Sequence, residues 1–136
     1  MAKMTDLENA VLEKLLAGNS DTFRILYQQY QEIDVIKREM TGVGFYTYFS
    51  KAKVAPPLPG EPSFHFSDVH AELKGLEGGA GFLLTINKGY LYDLEGYCYE
   101  GAWPENIEII SISYVDGPQR NEAEVLNSVD RCNPLD

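Results

Sequence analysis

Apolar residues recur at two different periods along this chain, and the change of period divides it. Leu7, Val11 and Leu15 stand four apart, with Ala10 and Leu12 beside them, which is the spacing of one helix face. Thr5 followed three residues later by Glu8 forms a capping box, and Gly18 supplies a stop. After a cap at Asn19 or Ser20, Phe23, Leu26, Tyr27, Tyr30 and Ile33 make a second apolar stripe, with Arg24, Gln28, Gln31 and Glu32 opposite. The spacing predicts a helical hairpin whose second helix runs to Lys37 and Arg38, where positive charge suits the C-terminal pole. Arg38 to Phe45 then reads as a helix-to-strand corner with an Arg38–Glu39 surface pair. An anion site at that corner is the sharper alternative.

From Thr41 the period falls to two. Val43, Phe45, Thr47 and Phe49 alternate with Gly44, Tyr46, Tyr48 and Ser50, a strand rich in aromatics. Pro56, Pro57, Pro59 and Pro62 forbid helix and ladder pairing in the next segment, which reads as an ordered crossover loop. A strand over about residues 66–73 places Val69, Ala71 and Leu73 on one face. Phe66, Asp68, His70, Glu72 and Lys74 take the other. A turn through Gly75, Gly78, Gly79 and Gly81 leads into Phe82-Leu83-Leu84-Thr85-Ile86. Asn87-Lys88-Gly89 is a hairpin signal. The return strand has Tyr90, Tyr92 and Leu94 on one face and Leu91, Asp93, Glu95 and Tyr97 on the other. Ile107 to Tyr114 is the last strong strand, apolar enough to lie inside the sheet. Asn121 to Val129 can form one short helix. Two helices followed by about five hairpin-joined strands predict an α+β fold, the helical hairpin packed on a mainly antiparallel sheet. Residues 1–115 form the domain and residues 116–136 a C-terminal tail.

Composition narrows the function classes. Lys and Arg total 11 and Asp and Glu total 21 in 136 residues, a formal net charge of −10. Such acidity disfavours nucleic acid and anionic membrane as main partners. No apolar run is long enough for a transmembrane helix. The N-terminus lacks the apolar core of a signal peptide, which points to the cytoplasm. Cys98 and Cys132 form no CxxC pair, so a zinc ribbon or thioredoxin-type site is not expected.

Candidate chemistry is sparse. The glycine cluster at 75–81 precedes a strand rather than a helix and carries Glu77, so it is a turn and not a phosphate cradle. No Ser lies in a GxSxG context, and no cofactor motif is present. By period two, Asp68, His70 and Glu72 share a strand face, and Asp93 and Glu95 share another. Converged, these groups can bind a divalent cation, whereas His65 should point the opposite way from His70. The same letters describe a solvated or partner-binding face. Nine tyrosines, most of them in predicted strands, add contact area at low entropic cost.

Three segments carry a resemblance. Arg38-Glu39-x-Thr41-Gly42-Val43-Gly44-Phe45, Gly79-Ala80-Gly81-Phe82-Leu83-Leu84, and Leu94-Glu95-Gly96-Tyr97-x-Tyr99 with Trp103-Pro104 resemble a family of small uncharacterised bacterial α+β proteins over about residues 11–114. The size, acidity and LEGY-type hairpin are also similar to immunity proteins of bacterial toxin systems. That resemblance implies a bacterial, cytosolic binding protein and transfers no catalytic residue. The expectation is a non-enzymatic domain that holds a basic protein partner through Asp68, Glu72, Asp93, Glu95 and Tyr97. The alternative is a metal-dependent enzyme or small-ligand protein built on Asp68, His70 and Glu72. A homodimer through an exposed sheet edge or face is a further expectation.

Overall fold

The computed structural model describes residues 3–135. It shows an α+β fold of three helices and an eight-stranded antiparallel sheet, larger than the five strands expected. Helix α1 (Asp6–Leu15) starts on the Thr5–Glu8 capping box, and α2 (Asp21–Tyr30) starts on Ser20. Their apolar stripes bury Leu7, Val11, Leu12, Leu15, Phe23 and Leu26. Helix α1 packs against strands β4 (Val69–Leu73) and β7 (Ile109–Tyr114), and α2 against β6 (Tyr90–Cys98).

The second helix is shorter than its apolar stripe suggests. It ends at Gln31, and Val35–Met40 forms strand β1, paired in a hairpin with β2 (Gly44–Phe49). Two features override the helical reading. Val35 and Ile36 are β-branched and favour extended backbone. Glu32 turns its carboxylate onto the backbone N–H groups of Lys53, Val54 and Ala55, at 2.9, 2.7 and 2.8 Å, pinning the chain where the helix stops. The corner is therefore a β-hairpin turn, in which Gly42 takes φ +86°, a value that other residues reach only with strain. Lys37 pairs with Glu39, and Arg38 reaches Glu8 instead of Glu39.

The strand expected over 66–73 is two pieces, β3 (Phe64–Phe66) and β4, both lying against β5 (Ala80–Asn87). Phe66 sits opposite Leu84 and His70 opposite Gly81, so the β3–β4 side holds one extra residue, a bulge at Ser67–Asp68. Beyond this interrupted strand, β7 pairs with β4 and the two-residue β8 (Asp130–Arg131) pairs with β3. On the other side the order runs β5-β6-β2-β1. Lys88 and Gly89 make a two-residue turn between β5 and β6, both with positive φ, matching the hairpin signal.

The core lies between the helices and one sheet face. Phe82, Leu84, Ile86 and Leu94 are fully buried there, joined by Phe45, Phe49, Phe64 and Phe66. Buried Gln29 of α2 donates to the Pro56 and Gly89 carbonyls and accepts from the Leu91 N–H, all at 2.9 Å. It thereby ties helix, proline loop and hairpin together. Residues 116–135 are anchored too. Helix α3 (Glu122–Asn127) is capped by Asn121. Arg120 binds Asp68 through two bonds and donates to the carbonyls of Leu15 and Ala17.

Candidate functional site

Strand register decides which side chains the uncovered sheet face presents. Tyr46 of β2 lies opposite Glu95 of β6, and Tyr48 opposite Asp93. Leu83 and Thr85 of β5 continue those rows, opposite Glu95 and Asp93, while Glu39 and Lys37 of β1 stand opposite Tyr46 and Tyr48. Each pair shares a side of the sheet, and the intervening residues Phe45, Thr47, Phe82, Leu84 and Leu94 are buried beneath the helices. A second bulge extends the pattern. From Thr85↔Asp93 to Ile86↔Leu91 the β6 strand spends an extra residue. This sends Leu91 into the core and leaves Tyr92 and Asp93 together on the uncovered side, in place of the strict alternation expected for 90–97.

The aromatic rings are layered. Tyr46 and Tyr48 stack with centroids 6.4 Å apart, Tyr92 meets Tyr48 edge-on at 6.0 Å, and Tyr97 meets Tyr99 edge-on at 5.7 Å. Lys37 lies 5.8 Å from the Tyr48 centroid and 2.6 Å from the Glu39 carboxylate. Gly81 is needed beneath Tyr97, since a Cβ there would stand 2.6 Å from the phenol carbon and oxygen. Glu95 raises the Tyr46 pKa, chiefly through a side-chain hydrogen bond. Desolvation raises that of Tyr97. Asp93 is also raised, first by burial and then by repulsion from Glu95; the Thr85 hydrogen bond and nearby His65 oppose the rise.

Four of the five residues expected at a partner surface, Glu72, Asp93, Glu95 and Tyr97, lie on this uncovered face. Asp68 does not join them. It sits in the β3–β4 bulge, its carboxylate held bidentately by Arg120 at 2.6 and 2.9 Å, with its side chain 18% exposed. Hence Asp68, His70 and Glu72 do not converge. His70 contacts Ser113 Oγ at 3.2 Å, and Glu72 is exposed. Among the described residues no three His, Cys, Asp or Glu side chains are grouped to hold a metal ion. The bulge also brings His65 and His70 to the same side of the sheet, opposite Thr85 and Gly81, contrary to the simple alternation. Tyr46, Tyr48, Tyr92, Glu39 and Lys37 belong to the face as well. The Lys37-x-Glu39 and Tyr46-x-Tyr48 alternation is the signal that marks them.

The covered side holds the opposite kind of polar site. Glu8 is 1% exposed. Its carboxylate accepts from Arg38 at 2.6 and 2.9 Å, from the Thr5 N–H at 2.8 Å and from the Thr47 hydroxyl. Burial pushes its pKa up, and the Arg38, Thr47 and Thr5 bonds together outweigh that and leave it lowered. A cleft of about 310 Å³ opens beside this network, walled by Met40, Phe45, Trp103 and Ile107. A wider one of about 750 Å³ lies between β7 and α3, around Arg120 and Asp68.

Among the described residues, no helix is long and apolar enough to cross a membrane. Comparison with protein-family models, with curated proteins and with solved structures finds no match for this chain.

Proposed function

We propose that this chain is a non-enzymatic protein-binding domain that holds a basic protein partner on its uncovered sheet face, in the manner of an immunity-type inhibitor. The observation that carries this reading is the juxtaposition of stacked tyrosines with Glu39, Asp93 and Glu95 on the face that the helices leave open. Rigid amphipathic rings supply contact area, and the carboxylates supply steering toward positive charge. The net charge of −10 extends that attraction beyond contact distance.

The test is affinity capture from a bacterial lysate at physiological salt with three baits: the native chain, a Glu72→Lys/Glu95→Lys double variant, and a Glu61→Lys/Glu105→Lys control. The two variants carry the same net charge. The expected outcome is a basic protein retained by the native chain and the control and lost by the face variant. A captured protein that the face variant retains as well as the control does would overturn the assignment of this face.

A further inference from the structure

We infer that two copies of this chain associate through strand β1, pairing antiparallel about a two-fold axis at Arg38. Strand β1 ends the sheet, and among the described residues only β2 pairs with it. Its outer edge is thus a row of backbone donors and acceptors available to another strand. The bond from the Thr41 N–H to the Gly44 carbonyl, 3.0 Å, sets the phase of the β1–β2 ladder. In that phase Thr41, Glu39 and Lys37 bond toward β2, so the N–H and C=O of Arg38 and Met40 point outward.

The sequence of this edge is complementary to itself in one register. With Arg38 opposite Arg38 of the second copy, Lys37 falls opposite Glu39, and Glu39 opposite Lys37. Ile36 falls opposite Met40, and Met40 opposite Ile36. The two ion pairs lie at non-hydrogen-bonded positions, where cross-strand side chains approach most closely. Ile36, at the β1 bulge, and Met40 are 57% and 63% exposed in one chain and lie at the two ends of this short ladder. The like charges on the axis are already neutralised, because each Arg38 is clamped by its own buried Glu8. Shifting the register by two residues would break both ion pairs.

The remaining edges lack this code. Strand β8 has two residues, and β7 carries no charged residue to select a register. A two-fold axis normal to the sheet keeps the helices of both copies on one side. The two uncovered faces then run together across the junction. The ladder is short, since the β1 bulge interrupts it next to Lys37, which places the dimer among weak associations.

Sedimentation velocity from about 1 μM to 1 mM reads this directly. The native chain should pass from monomer to dimer across that range. Lys37→Glu alone and Glu39→Lys alone each turn two attracting pairs into two repelling ones, and each should weaken association roughly tenfold. The Lys37→Glu/Glu39→Lys swap restores both pairs and should recover the native constant. In a Cys98→Ser/Cys132→Ser background, a Lys37→Cys chain mixed with a Glu39→Cys chain should form a mixed disulfide, the paired Cα atoms being about 4.5 Å apart. A monomer throughout, a dimer indifferent to the single changes, or a swap no better than the single changes would each overturn the inference. Glu39 belongs to both surfaces, but sedimentation is run on this chain alone, so a failure here is separable from a failure of the partner-binding reading, which the Glu72→Lys/Glu95→Lys capture tests.

Discussion

The two faces of this sheet handle buried carboxylates in opposite ways. On the covered face, Glu8 loses nearly all contact with water, yet its acidity increases, because every carboxylate oxygen receives donors from Arg38, Thr5 or Thr47. On the uncovered face, Asp93 is only partly buried, yet its acidity decreases, because the Thr85 hydrogen bond and the pull of His65 do not offset burial and the charge on Glu95. The comparison shows that depth alone does not set the cost of a buried charge. What sets it is the number of donors aimed at that charge. The covered face has spent its polar groups on the fold, whereas on the uncovered face Asp93 and Glu95 pair with no Lys or Arg among the described residues.

The sharpest way to break the contrast is to hollow the covered face. Phe82→Ala removes a fully buried ring and should cost about 4 kcal/mol in urea unfolding, with the lost transfer energy and the cavity both contributing. Next comes Arg38→Ala, which leaves Glu8 buried without its main partner and should cost about 3 kcal/mol by the same measurement. The acid limb carries the same signature. Glu8 is lowered in the fold from an ordinary value of 4.5. Its stabilising contribution is complete above that value and is lost as pH falls through the lower folded one. The smallest effect is on the uncovered side. Asp93 is raised in the fold from 3.8, so its ionisation costs stability above the folded value and costs nothing below the unfolded one. Asp93→Asn should therefore stabilise the protein at pH 7 by about 0.5 kcal/mol, the scale of a mild substitution. That gain should vanish as the pH is taken below the unfolded value.

Local chemistry made much of this architecture readable. The Thr5–Glu8 box, the stripe from Phe23 to Tyr30 and the Asn87-Lys88-Gly89 turn each state their structure within a few residues. Strand β1 was hidden for a physical reason. Lys37, Arg38 and Glu39 alternate as an end strand should, but the bulge at Ile36 and the apolar stripe before it mimic a helix tail. The bulge at Ser67–Asp68 likewise inverts the facing of everything after it, so a count by twos separates His65 from His70, which share a face. The fate of Asp68 had no local sign. Its partner Arg120 stands 52 positions away, and only tertiary packing brings them together. The acidic tyrosine face was partly visible in the 93–97 alternation, and its β1 and β2 components became legible once register was known.

Arg120 also bears on the order in which this chain can finish folding. It donates to the last α1 carbonyl, that of Leu15, and to that of Ala17 just beyond the helix, and Glu122 accepts from the Asn19 and Ser20 N–H groups at the start of α2. These two helices thus take their closing contacts from residues more than 100 positions later in the chain. Until residue 122 has emerged, the junction of α1 and α2 lacks its cation, its carboxylate and the ring contacts that Arg120 makes with Phe23 and Tyr114. The helical hairpin is therefore synthesised well before the residues that lock it, and shortening the chain ahead of Arg120 should leave a product whose helical hairpin is open to proteases.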